Sequence, residues 1–186
     1  MLQPLTQDIF DISFNIVYST QNNFTNKRIY KNSLCYIHQA ALKHLKEAIN
    51  LAKTIGYQLK IYDAFRPIEA QKILWKALPD ENYVSNPYNE LSPLTHCRGI
   101  AIDLTLNDKQ GTELDMGTKI DEMSILSFPT NYQDITDTAL QNRLLLRGIM
   151  TTAGFEPIDT EWWHFQLPNY SKYPIIKNGT DYVAIV

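Results

Sequence analysis

Thr95-His96-Cys97-Arg98-Gly99-Ile100-Ala101-Ile102-Asp103-Leu104-Thr105-Leu106 is the stretch around which the rest of the chain is read. Gly99 to Leu106 has the content of a buried strand, with Asp103 its lone charge. A carboxylate set among Ile100, Ala101, Ile102 and Leu104 is costly to bury unless it is paired or bound to a metal. Strand side chains alternate, so His96 and Asp103 would face opposite ways if the whole run were extended. Their convergence requires a turn at Cys97-Arg98-Gly99, and Gly99 makes that turn possible.

A second block, Glu161-Trp162-Trp163-His164-Phe165, lies near the far end. A catalytic zinc site has three protein ligands and a fourth position open to water, and His96, Asp103 and His164 give that count with suitable donors. Zinc lowers the pKa of a bound water to about 7, which supplies a nucleophile near neutrality. Glu161, three residues before His164, is placed to accept the water's proton and pass it to a leaving amine. On a straight strand those two side chains diverge, so a bulge or a single helical turn through Trp162-Trp163 is needed. A closed site that adds Cys97 would be structural instead. Imidazoles disfavour magnesium or calcium. No glycine-flanked serine elbow is present among Ser33, Ser92, Ser124 and Ser127, and a thiol pair of Cys97 with His96 or His164 has no further support. Spacing alone does not separate a zinc site from a chance gathering of buried polar residues.

Outward from these blocks, Asp11 to Tyr18 has strand content and Tyr57 to Tyr62 alternates as a strand. Ser33 is a candidate cap for a helix with apolar positions Leu34, Ile37, Ala41, Leu45, Ala48, Ala52 and Ile55, stopped by Gly56. His38 and His44, on that helix, have no partner at ligand spacing and read as surface or rim histidines. Asp63-Ala64-Phe65-Arg66-Pro67 follows, and Pro67 opens a helix from about Ile68 to Leu78. Arg66 is thereby pinned at a strand-to-helix junction; on this segment alone it reads as a surface ion pair with Asp63 or Glu69. Asp80 to Pro93 reads as a surface loop, and Glu113 to Asp121 as another. Thr136 or Asp137 opens a helix with Leu140, Leu144, Leu145, Ile149 and Met150, closed by Gly154. Thr160 to Leu167 reads as a strand and Tyr182 to Val186 as a short final one. The order predicts an α+β fold, one domain over residues 1–186, with helices packed on a mostly antiparallel sheet.

The chain has 186 residues, 44% hydrophobic and 20% charged, which is ordinary globular material. A net charge of -3 gives no reason to expect nucleic acid or an anionic membrane as partner. No apolar run approaches the roughly 18 residues of a spanning helix. The N-terminus lacks a signal-peptide pattern, so Met1 as natural start predicts a cytoplasmic protein, while a leader already removed would leave a periplasmic one. Cys35 and Cys97 are not expected to form a disulfide.

Five blocks in order, YSTQNNFTNKRIY, YDAFRP, THCRGIAIDLTL, LDMGTKID and EWWHF, resemble the VanX-type D-alanyl-D-alanine dipeptidases among the zinc D,D-peptidases. The signature of that family is serine-x-His-x-x-Gly-x-Ala-x-Asp followed far downstream by Glu-x-x-His. The resemblance implies the zinc D,D-peptidase, hedgehog-like fold and one zinc ion held by His96, Asp103 and His164. It implies Glu161 as general base and acid, and Arg66 as the cation that stabilises the tetrahedral oxyanion, which reverses the surface reading of Arg66. It further implies Asp121 as anchor for the substrate's ammonium, with Tyr18 lining the pocket. The implied reaction is hydrolysis of the small dipeptide D-Ala-D-Ala to two D-alanines; the alternative is a D,D-carboxypeptidase or murein endopeptidase acting on longer cell-wall peptides. Leu94 replaces the signature serine, Ile120 a usual phenylalanine, Phe65 a commoner tyrosine, and Glu122 to Phe128 (EMSILSF) diverges. These departures bear on substrate preference, not on zinc or base.

Overall fold

β5 (Ala101–Asn107) is buried along its whole length, as the apolar run around Asp103 predicts. It is the central strand of a five-stranded sheet in a computed structural model that describes residues 1–177. β4 (Gln58–Asp63) and β7 (His164–Gln166) flank it, both antiparallel to it. Outside these lie β2 (Ile12–Phe14), parallel to β4, and β6 (Glu156–Pro157), antiparallel to β7. β1 (Leu2–Leu5) and β3 (Cys35–His38) form a separate antiparallel pair. α1 (Gln39–Thr54) packs against β4 and against α3 (Asp137–Thr152), and α3 reaches β6. The buried apolar side chains form one cluster drawn from both sheets and the helices. The fold is therefore α+β, with helices on a mostly antiparallel sheet. No helix among the described residues is long and apolar enough to cross a membrane.

Several boundaries differ from expectation. The first helix begins at Gln39, not after Ser33: His38 is its cap, with Nδ1 accepting from the Ala40 amide at 3.2 Å. Residues 35–38 are strand, which buries Cys35 and Ile37 and leaves Leu34 46% exposed. Ile37 satisfies both the alternation of β3 and the three-and-four spacing of α1, so the helical pattern ran back through the strand. Gln58–Asp63 and α2 (Ile68–Ala77) lie close to where they were expected, and Thr136 caps α3 by accepting from the Ala139 amide. The buried stripe of α3 is Ala139, Arg143, Leu146, Ile149 and Met150, whereas Leu144 is 59% exposed. Of Asp11 to Tyr18 only Ile12–Phe14 is strand, and Val17–Ser19 is a 3-10 turn. Of Thr160 to Leu167 only His164–Gln166 is strand, because Trp162-Trp163 forms a turn. Tyr182 to Val186 lies outside the described residues.

Candidate active site

His96 opens a single 3-10 turn, His96–Arg98, and Gly99 ends it at a φ of 69°. This is the turn the sequence demanded. A Cβ at Gly99 would lie 2.7 Å from Leu2 Cδ2 and 3.2 Å from the His38 amide nitrogen, so crowding as well as φ favours glycine. Beyond it, Asp103 pairs across the sheet with His164 on one side and Asp63 on the other. Directly opposed residues share a face, so Asp63, Asp103 and His164 form a row across three strands. Asp63 joins that row through an irregularity between Ile61 and Asp63; in unbroken register Tyr62 would oppose Asp103.

One ligand atom each from His96, Asp103 and His164 lies within 4.8 Å of the others. Every one of these residues is buried. His96 Nδ1 is 2.6 Å from the Ala64 carbonyl oxygen, which only accepts, so the proton belongs there and Nε2 carries the lone pair. His164 Nε2 faces the Gln166 amide oxygen at 3.1 Å, which turns Nδ1 inward. The inward atoms stand close: His96 Nε2 is 3.1 Å from His164 Nδ1 and 3.3 Å from Asp103 Oδ2, and His164 Nδ1 is 3.1 Å from Asp103 Oδ1. Two imidazole lone pairs and a carboxylate aimed at one point suit a cation. Burial opposes ionisation of Asp103, but the two imidazoles outweigh it and hold its carboxyl far below the usual range.

Glu161 is buried with Oε2 3.9 Å from His164 Nδ1, the turn at Trp162-Trp163 having brought the two together. Burial, reinforced by Asp103 and Asp121 and offset by His164, pushes the Glu161 carboxyl up to about 8. Arg66 is buried and not at the surface, which corrects the reading made from its segment alone. The ion pair with Asp63 does exist: Nε and Nη2 meet Asp63 Oδ2 at 2.9 and 2.8 Å. Nη2 is also 3.6 Å from Asp103 Oδ2, and the guanidinium lies over the Tyr18 ring at 4.9 Å. Asp121 is buried at a φ of 61°; its Oδ1 accepts from the Tyr18 hydroxyl at 3.0 Å, and its Oδ2 has no hydrogen-bond partner among the described residues. Burial first, and the Asp103 charge second, push the Asp121 carboxyl up to about 7. All seven of these predicted residues line one cavity of about 190 Å³, together with Leu94 and Phe24.

The Peptidase_M15 family, described as D-ala-D-ala dipeptidase, matches residues 1–178. The chain belongs to this family. Within the D-Ala-D-Ala dipeptidase family, a metallopeptidase family, it is 43% identical over 166 residues to the D-alanyl-D-alanine dipeptidase of Escherichia coli K12, covering 89% of this chain and 84% of that one. It is 34% identical over 196 residues to the D-alanyl-D-alanine dipeptidase of Enterococcus faecium, covering 92% and 96%. Among solved structures it is similar to the LdcB LD-carboxypeptidase, at a TM-score of 0.48 and 21% identity, covering 89% of this chain and 67% of that one.

Other polar residues of this dipeptidase-family site were not singled out by sequence. Tyr30 donates to Asp63 Oδ1 at 2.9 Å, and Gln71 Oε1 accepts from Arg66 Nη1 at 3.0 Å. The available signal was Asp63 itself, a charge closing an alternating strand three places before Arg66. Cys97 is buried but is not part of the donor group; its thiol is pushed up to about 12 by burial. Both cysteines are free. His38 and His44 lie apart from the donor group, and His44 Nδ1 bonds the Ala153 carbonyl at the end of α3 at 2.7 Å.

Proposed function

We propose that the chain hydrolyses D-Ala-D-Ala to two molecules of D-alanine, with one zinc ion per chain held by His96, Asp103 and His164. The observation that supports this most is a metal-donor group and a free carboxylate oxygen placed in one small cavity. Converging lone pairs lie at one place, and the unpartnered Oδ2 of Asp121 lines the same cavity. A free dipeptide carries an ammonium a fixed distance from its amide, and that pairing matches its chemistry. When bound, zinc supplies an activated water and polarises the scissile carbonyl.

The chain's own side chains do the remainder. Asp121, steadied by the Tyr18 hydroxyl, binds the substrate ammonium. Arg66 is held by Asp63 and Gln71 and stays protonated at any physiological pH, so it presents a fixed cation to the oxyanion that develops at the carbonyl. Glu161 takes the proton of the attacking water at its carboxylate and delivers it to the departing nitrogen. Trp163, Leu94 and Leu74 line the cavity and help keep bulk water out.

The alternative substrates, longer cell-wall peptides, would have to continue past Asp121, whose buried carboxylate disfavours an uncharged peptide group there. The test is release of D-alanine by the zinc-loaded protein from D-Ala-D-Ala, from an N-acetylated analogue and from a muropeptide. Cleavage of the free dipeptide alone is expected. Cleavage of the muropeptide with none of the free dipeptide would decide for a carboxypeptidase or endopeptidase. Glu161→Ala should lose at least ~10²-fold in kcat while its zinc content stays that of the parent.

A further inference from the structure

Gln71 is only 2% exposed on α2, five residues after Arg66, and the two ends of its amide are committed in opposite senses. Its Oε1 accepts from Arg66 Nη1 at 3.0 Å, and its Nε2 donates to the Ser85 carbonyl at 2.7 Å. A guanidinium only donates and a carbonyl only accepts, so the orientation of the amide is fixed by its partners. Ser85 belongs to the stretch from Asp80 to Pro93, which supplies Glu81, Asn82, Tyr83 and Val84 to the cavity wall.

Among the described residues, Arg98 Nε holds the far end of the stretch by donating to the Pro93 carbonyl at 2.7 Å, and the remaining side-chain hydrogen bonds close on the stretch itself. Asp80 Oδ1 accepts from the Asn82 amides, Glu81 Oε1 from Asn86 at 3.0 Å, Asn86 Oδ1 from the Tyr88 amide, and Asn89 Oδ1 from the Leu91 amide. They stiffen the loop without fixing where it sits. Val84 is buried, while Tyr88 and Leu91 are 70% and 85% exposed, so the stretch is anchored beside Gln71 and again at Ser92-Pro93, with an exposed span between.

We propose that Gln71 is a positioning residue that ties the Arg66 guanidinium to the loop forming the far wall of the cavity, so that the cation and the wall are placed together. The inference rests on the reading of Arg66 under the proposed function. Asp63 takes the Nε and Nη2 edge of the guanidinium, and Gln71 takes Nη1. Without Gln71 the guanidinium can swing about its Asp63 contact. A misplacement of about 1 Å costs on the order of 10²-fold in rate.

Two substitutions separate the halves of the bridge. Gln71→Leu removes both bonds. Gln71→Glu keeps an acceptor for Nη1 but offers no donor to the Ser85 carbonyl. Backbone amide exchange over 83–86, measured on the zinc-loaded full chain, should accelerate ~10-fold or more in both variants, as expected for local opening. With D-Ala-D-Ala, Gln71→Leu should lose ~10- to 10²-fold in kcat. Gln71→Glu should hold kcat within ~3-fold of the parent and raise KM ~10-fold, because its loss is confined to the wall that encloses substrate. Unchanged exchange in both variants would overturn the link to the loop, and parental kcat in Gln71→Leu would overturn the hold on Arg66. Should Gln71→Leu fail to fold, exchange and the kcat-against-KM split of Gln71→Glu decide alone. A parent protein inactive on the dipeptide would sink the proposed function and leave the exchange measurement to test the bridge.

Discussion

Asp121 combines a backbone strain, a buried carboxyl and an unpartnered oxygen at one position. Its carboxyl titrates near 3.8 in the unfolded chain and at about 7 in the fold, chiefly through burial. Between those values the folded chain keeps a proton that the unfolded chain has released. Stability from this group therefore falls as pH rises from about 4 to about 7, and is level above and below. Asp121→Asn should abolish that fall: in urea unfolding of the metal-free protein, the variant should gain on the parent between pH 4.5 and 7.5. An ammonium beside Oδ2 reverses the preference for the neutral form. The KM for dipeptide in the parent should accordingly rise as pH drops below about 7, and pH-independence of KM there would remove Asp121 from the substrate's amine. None of this was legible in the pattern of residues. Tyr18 and Asp121 are 103 positions apart, and only the family resemblance pointed to either. By contrast the residues did raise His96, Asp103 and His164 as a candidate group, because a lone carboxylate in an apolar strand needs a partner whatever fold surrounds it, though spacing alone fitted a chance gathering of polar side chains equally well.

Turns and helix faces show where the pattern misleads. In α3 the apolar spacing left Arg143 outside the core-facing stripe, where a charged residue usually is. It is buried, donating to the carbonyls of Met116 at 2.7 Å, Leu126 at 2.9 Å and Phe128 at 3.3 Å, over the Trp162 ring. Those carbonyls flank the loop that carries Asp121, and Asn142 Nδ2 adds a bond to the Asp115 carbonyl at 2.8 Å, so α3 holds that loop chiefly through Arg143. Arg143→Met should cost about 3 kcal/mol in denaturant unfolding by orphaning several buried acceptors, and should raise KM more than it lowers kcat. Gly99 was read correctly as the hinge between His96 and Asp103, since only a left-handed residue lets the two face one way. Gly99→Ala adds strain at φ 69° to a clash with Leu2 and the His38 backbone. A loss of about 1–3 kcal/mol is expected by thermal or denaturant unfolding. The displacement of Asp63 beside Ile61 left no trace in the sequence, because an irregularity of register depends on the partner strand and not on local composition.

Across the whole molecule, acidic groups are concentrated at the cavity: Asp103, Asp121 and Glu161 line it together with Arg66, and Asp63 pairs with the Arg66 guanidinium. An ion bound by the folded chain and not by the unfolded one stabilises by mass action. Chelation should therefore lower the melting temperature, and added zinc should restore it. His96→Ala should melt at the same temperature with and without chelator; a shift as large as the parent's would place the ion elsewhere. The donors come from a turn and from two neighbouring strands, separated by 68 positions of chain between His96 and His164. A chain emerging from the ribosome cannot bring the three donors together until β7 has zipped onto the sheet. With the proposed ligand set, metal capture would be a late event in biogenesis, and a product truncated before His164 should carry no competent centre to hydrolyse peptides in the cell.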